Sequence, residues 1–224
     1  MNKIFIPTND AEDWKNFLAE PDKQWKSGYS ARSLAYCWQE AGGLPKDVMS
    51  VLSQIPSLKG LKTIFAIPEH KVSLPGGSRP SQNDVWVLGE TPKSLVSIAV
   101  EGKVSEPFGP TLEEWSKDST PGKVERLRFL CDELSIDNPP PKLRYQLLHR
   151  TVSAIIEAKR FKTKEAVMLV HTFSKSNEWF EDYQFFLSLF GIVAGINQAA
   201  SVKIQSDINL SFAWIHGSEK YLSM

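Results

Sequence analysis

Apolar and polar positions follow two different rhythms along the chain, and the switches between them outline the fold. Within SGYSARSLAYCWQEAGGLP, the residues Leu34, Cys37, Trp38 and Ala41 recur at helical spacing, with Ser30 as the expected N-cap and Gly42, Gly43 and Pro45 as a stop. This predicts a helix ending near Glu40, followed by a second, short one in PKDVMSVLSQI. The rhythm then changes. LKTIFAIPEHKVSL, NDVWVLG and SLVSIAVEGKV are rich in β-branched and aromatic residues and are separated by turn signals such as Pro75-Gly76-Gly77. They predict three neighbouring strands in an antiparallel meander.

Helical spacing returns in TLEEWSKD, KVERLRFLCDEL and KLRYQLLHRTVSAIIEAKRF, where Leu143, Leu147, Val152, Ile155 and Ile156 form an apolar stripe. EAVMLVHTFS then reads as a buried strand, NEWFEDYQFFLSLFG as a helix and NLSFAWIHG as a last strand. The order predicts an α/β fold in which a mixed sheet, with the three-strand antiparallel meander at its centre, is flanked by helices. No repeat, low-complexity tract or long linker interrupts residues 1–224, so a single domain is expected, with residues 1–28 as a polar N-terminal leader.

Composition narrows the function classes. The chain has 224 residues, 42% hydrophobic and 23% charged, which is enough for one substantial core. Its formal net charge is +0, so a polyanion would have to be met by a local basic patch, and a DNA-coating role is disfavoured. No apolar run is long enough to span a membrane, and MNKIFIPTNDAEDWK turns acidic too early for a signal peptide. The expectation is a cytoplasmic protein with no membrane partner. Cys37 and Cys131 lie far apart without a CxxC, which predicts reduced core thiols and excludes a zinc ribbon.

The candidate chemistry starts from SIAVEGKV, a strand pattern that carries Glu101 and Lys103 where apolar residues belong. Four acid-x-lysine triplets occur: Asp13-x-Lys15, Glu69-x-Lys71, Glu101-x-Lys103 and Glu157-x-Lys159. The first lies in the leader, and the last lies in a predicted helix, where i and i+2 diverge. On a strand, i and i+2 share a face, so the 69/71 and 101/103 pairs each present a carboxylate beside an amine. The 101/103 pair follows a hairpin partner opening with Asp84, and directly opposed residues on paired strands lie roughly 4.5–5.5 Å apart. That separation suits two carboxylates sharing a divalent cation. Leaving such charges unpaired in a core costs several kcal/mol each. The competing reading is a solvent-facing strand end, with Asp84 as a turn residue and Lys103 guarding an exposed edge.

Asp84, sixteen intervening residues, then Glu101-Gly102-Lys103 at the end of an apolar strand resembles the motif of the PD-(D/E)XK nuclease superfamily. Asn83 stands where that motif has proline. The resemblance runs from about residue 31 to 173 and implies a restriction endonuclease-like core. It implies that Asp84, Glu101 and the Gly102 carbonyl bind Mg²⁺ or Mn²⁺, and that Lys103 orients the attacking water. An additional acidic residue is implied on the preceding helix, matched by Glu40, although Glu69 on the strand before Asp84 also fits. A glutamine on a later helix, as in RecB-type nucleases, is matched by Gln146, with Arg150 one turn on and Arg144 nearby; Gln146 and Arg150 share one helical face at i, i+4, which suits a phosphate contact. Glycine at 102 leaves room for a metal or phosphate to approach. The implied activity is metal-assisted phosphodiester hydrolysis, with DNA the expected substrate; cutting both strands of a duplex would suit a homodimer.

Arg79, in the glycine loop LPGGSRPSQ, is a further candidate for a nucleic-acid backbone contact, but the loop does not match a P-loop. His70, His149, His171 and His216 have no paired-ligand spacing, and no GxSxG elbow is present. Trp179, Phe180, Tyr183, Phe185 and Phe186 read as helical core aromatics or an oligomer contact. The alternative from a different class is a non-catalytic domain on the same core that binds nucleic acid or protein.

Overall fold

A computed structural model describes Ile4 and residues 8–224; the rest of the predicted leader, residues 1–3 and 5–7, lies outside the described residues. A 3₁₀ turn over Ala11–Phe17 leads to a one-turn helix α1 (Pro21–Gln24), then α2 (Ser30–Ala41) and α3 (Lys46–Leu52). Three strands follow, β1 (Lys62–Val72), β2 (Ser81–Glu90) and β3 (Leu95–Lys103). After them come α4 (Leu112–Trp115), α5 (Pro121–Leu134), α6 (Tyr145–Arg160), β4 (Glu165–Thr172), α7 (Phe180–Ser188), β5 (Gln198–Lys203) and β6 (Asn209–His216).

The strands form one open, mixed six-stranded sheet in the order β1-β2-β3-β4-β6-β5. β1, β2 and β3 pair antiparallel in sequence order. They form one side of the sheet, however, and not its centre, which corrects the expected central meander. The centre is parallel: β4 pairs with β3 and with β6, and β5 returns antiparallel on the far edge. The reason lies in β4, EAVMLVHT, which is buried along its whole length and can satisfy both faces only between neighbours and under helices. Edge strand β5, QAASVK, escapes the sequence reading because it is short, largely exposed and has no apolar rhythm.

Both faces of the sheet are covered. One face packs Val85, Val87, Ile98 and Leu169 against Leu34 and Trp38 of α2 and Val48 of α3. The other packs Ala99, Met168 and Phe212 against Leu147 and Ile155 of α6 and Phe186 of α7. Of the aromatics expected in this helix, Tyr183 and Phe186 are core, Trp179 and Phe180 are partly buried against it, and Phe185 is exposed. Cys37 and Cys131 are buried free thiols, as expected. Two residues in the described part of the leader join the core, Ala11 and Trp14: Trp14 is 3% exposed, and its indole N–H donates to Gln39 Oε1 at 2.9 Å.

The loop between β1 and β2 is clamped. Arg126 of α5 donates to the carbonyls of Pro75 (2.8 Å) and Gly77 (3.0 Å). Gly76 has φ +76°, and a Cβ there would overlap the Gly122 carbonyl and come within 2.8 Å of the Arg126 amide. Gly76→Ala is expected to lower stability by about 2–3 kcal/mol, from left-handed strain and overpacking. Urea denaturation checks this, and a change below about 0.5 kcal/mol, the range of neutral surface substitutions, would contradict the clamp.

Candidate active site

The register of the antiparallel strands assembles the site. Val85 faces Val100 and Trp86 faces Ala99, so continuing the β2–β3 ladder by one residue sets Asp84 opposite Glu101. On β1, Pro68 faces Val85 and His70 faces Asn83, which sets Glu69 opposite Asp84. Three carboxylates therefore cross three adjacent strands in a row. Glu69 holds φ +52°, a left-handed conformation that costs a non-glycine residue about 1–2 kcal/mol. Helix α6 lies over this face and contributes Gln146 and Arg150, one turn apart.

Glu101 is the hub. Its Oε1 accepts from Lys103 Nζ at 2.6 Å and from Gln146 Nε2 at 2.8 Å, and its Oε2 accepts from Arg150 Nε at 2.5 Å. Lys103 Nζ also donates to Gln146 Oε1 at 3.3 Å and lies 4.8 Å from the centre of the Phe108 ring. Glu101 and Lys103 are 2% and 4% exposed, which overturns the solvent-facing alternative. Asp84 Oδ2 accepts the Gly102 amide N–H at 2.7 Å, and Asp84 Oδ1 lies 3.8 Å from Arg150 Nη2. Glu69 Oε2 accepts from Gln82 Nε2 at 2.7 Å. A Cβ at residue 102 would stand 3.2 Å from Leu34 Cδ2 and 3.3 Å from Asp84 Oδ2, so glycine lets α2 and Asp84 close in on β3.

Glu69, Asp84, Glu101, Lys103, Gln146 and Arg150 all line one cavity of about 290 Å³. With every group ionised, three carboxylates face two cations. Burial would raise the Glu101 pKa, but Arg150 and Lys103 outweigh it and bring it down to about 2. Asp84 goes the other way: burial, then the Glu101 charge, push it up to about 7 against the pull of Arg150 and Lys103. Glu69 is raised well above its ordinary value, by burial and then by Asp84. The Arg150 pKa is raised in spite of its burial, because Glu101 and Asp84 face it.

These shifts fix a pH dependence. A carboxyl whose folded pKa is raised stabilises the fold fully below its unfolded value, 3.8 for Asp84, and that contribution disappears as pH rises through about 7. Stability is expected to fall by the order of 2 kcal/mol between about pH 5 and pH 8, and Asp84→Asn to flatten the slope. Urea midpoints across that range test it; an unchanged slope in Asp84→Asn would contradict the assignment.

Not every predicted residue reaches the site. Glu40 sits at the opposite end of α2, pairs with Lys220 Nζ at 2.7 Å and accepts from the Tyr221 hydroxyl at 3.1 Å. Of the two acidic residues the sequence offered as an additional ligand, Glu69 is the one in the cavity. Arg79 is exposed in its loop and does not line the cavity. Arg144 caps the start of α6 but is engaged by Asp182 (2.8 Å) and the Gly109 carbonyl (2.8 Å). Arg150, expected to contact phosphate, is committed instead to Glu101.

Two contributors had escaped the sequence. Glu106 Oε1 accepts both the Ser30 amide N–H (2.9 Å) and the Ser30 hydroxyl (3.0 Å), so the α2 N-terminus is capped from 76 residues away and not by the Ser30 side chain. The leader supplies a wall of the cavity through Leu18, Lys23 and Gln24, continued by Tyr29. Neither has a local signal, since both depend on how distant segments meet.

The donor chemistry suits a hard divalent cation, because Asp84, Glu69 and Glu101 offer carboxylate oxygens that, once all are ionised, carry one negative charge more than Lys103 and Arg150 balance. The cage is not preformed: among the described residues no group of three His, Cys, Asp or Glu side chains is poised around a metal position. Among the described residues, Asp84 Oδ1 and Glu69 Oε1 accept no hydrogen bond, Asp84 Oδ1 having only the 3.8 Å ion pair with Arg150, while both oxygens of Glu101 are occupied by protein donors. Among the described residues no helix is long and apolar enough to cross a membrane.

Fold and site together define an α/β protein with an open mixed sheet and a buried acidic–basic cluster at the carboxyl end of β3. The chain belongs to the family described as Domain of unknown function (DUF6946), whose model matches residues 7–219. No curated protein and no solved structure matches it.

Proposed function

We propose that the protein is a divalent-metal-dependent phosphodiesterase of the PD-(D/E)XK type, acting on nucleic acid, with DNA the first substrate to test. The observation that supports this reading is the meeting of Asp84, Glu101 and Lys103, joined by Glu69, in one polar cavity. Asp84 and Glu69 would hold the ion through their open oxygens, and Glu101 would join them if Arg150 released it. Bound Mg²⁺ or Mn²⁺ supplies a Lewis acid for the scissile phosphate and acidifies a water ligand. Lys103, fixed by Glu101, Gln146 and the Phe108 ring, presents an ammonium group that orients the attacking water and offsets charge on the phosphate. Gln146 holds both members of the Glu101–Lys103 pair. Arg150 keeps Glu101 ionised.

One observation favours a second reading, a non-catalytic domain on the same core. Glu101 is saturated by Lys103, Gln146 and Arg150, as a purely structural carboxylate would be. Incubation with supercoiled and single-stranded DNA separates the two. Scission in Mg²⁺ or Mn²⁺ that stops with EDTA is the expected result. Metal binding by calorimetry without scission supports the second reading, and absence of metal binding removes the first.

A further inference from the structure

The cavity is walled on one side by the segment that precedes α2, and that wall has a composition of its own. Glu12 anchors it, accepting from the Trp25 indole N–H at 2.9 Å and the Tyr36 hydroxyl at 2.6 Å and pairing with Arg32 at 3.1 Å. Glu106 holds Ser30 from the β3 side. Fixed between these anchors, Tyr29 is 42% exposed at the cavity rim, with Lys26 Nζ 5.7 Å from its ring centre. Lys23 lines the rim too, its side chain 75% exposed. The interior carries three carboxylates, while the mouth carries the Tyr29 ring and Lys23, whose Nζ is paired with Glu20 at 3.0 Å, and Lys26 stands beside Tyr29 just outside the lining. A phosphate at the rim meets Lys26, and Lys23 once it displaces Glu20, but only a small part of a polyanion fits inside. The cavity's volume of about 290 Å³ lies just below the range of about 300–1,000 Å³ usual for ligand pockets.

We infer that the site takes an unpaired nucleotide, from a single strand or a frayed end, with its base stacked on Tyr29 and the flanking phosphates on Lys23 and Lys26. This rests on the phosphodiesterase reading and names the substrate class for it. An intact duplex cannot present one nucleotide to a cavity of this size without unpairing it, which costs a few kcal/mol. Stacking on one aromatic side chain is worth about 1–3 kcal/mol per base, which favours a strand already unpaired. Tyr29 is in this view a specificity-determining residue.

The test is fluorescence anisotropy of the full chain in Ca²⁺, with a labelled single-stranded oligonucleotide and a blunt duplex of the same sequence. The expected result is at least tenfold tighter binding of the single strand. Tyr29→Ala should remove that preference by weakening single-strand binding about tenfold, and Tyr29→Phe, which keeps the ring, should restore it. Thermal melting of the variants checks that the fold is kept. Equal binding of strand and duplex, unchanged binding by Tyr29→Ala, or binding of neither probe overturns the inference. Because binding is read without cleavage, the two ideas fail separately: duplex scission at the single-strand rate overturns this inference and leaves the nuclease standing. A Tyr29-dependent preference without scission does the reverse.

Discussion

Glu101→Ala is expected to lower the unfolding free energy by about 3–5 kcal/mol, the cost of stranding the buried partner of an ion pair. The effect is large because one carboxylate answers two cations. Lys103 is 4% exposed and Arg150 8% exposed, so neither can turn to water once Glu101 is gone. Gln146 loses its acceptor at the same time. For a chain of this size about 1 kcal/mol corresponds to 2–4 °C, so the melting temperature should drop by roughly 6–20 °C. Glu101→Ala combined with Arg150→Ala should destabilise by less than the sum of the single changes, since each removes the other's unpaired charge. Calorimetric melting of the two single variants and the double variant measures this. A loss under about 1 kcal/mol for Glu101→Ala, or strict additivity, would mean the cluster is hydrated and loosely held.

Lys103→Met is expected to reduce metal-dependent cleavage by about 10²- to 10³-fold, the usual effect of deleting one preorganised charge-stabilising donor. Methionine keeps the length of the stem against Phe108 while removing the ammonium group, so packing is changed less than by alanine. Arg150 remains to pair Glu101. Metal affinity measured by calorimetry should change far less than turnover, because the open oxygens belong to Asp84 and Glu69. A variant that cleaves as the parent does would remove Lys103 from the proposed chemistry. One that loses metal binding and turnover together would make it a structural counter-ion.

The parts of the site that were legible in the sequence are those governed by short-range geometry. Glu101 and Lys103 share a face because strand side chains alternate, and Asp84 meets them because a hairpin sets the register of its two strands. Gln146 and Arg150 project together because they are one helical turn apart. The choice between Glu40 and Glu69 was not legible. Glu40 and Ser30 occupy opposite ends of α2, about 15 Å apart at 1.5 Å per residue, and only the Ser30 end meets the cavity. Glu69 reaches the cavity through a left-handed backbone on β1 that no local pattern announces.

Apolar periodicity by itself determined the α/β class, five of the six strands, the long helices and the pairing of Asp84 with Glu101, because each depends on the repeat of one element or on one hairpin. Tertiary structure alone decided that the antiparallel strands lie to one side of a parallel centre, since the place of β4 follows from burying both its faces. It also decided that Arg150 neutralises Glu101 instead of facing solvent, and that the leader walls the cavity. Those outcomes depend on which distant surfaces exclude water from one another, a property of the assembled molecule that no window of the chain contains.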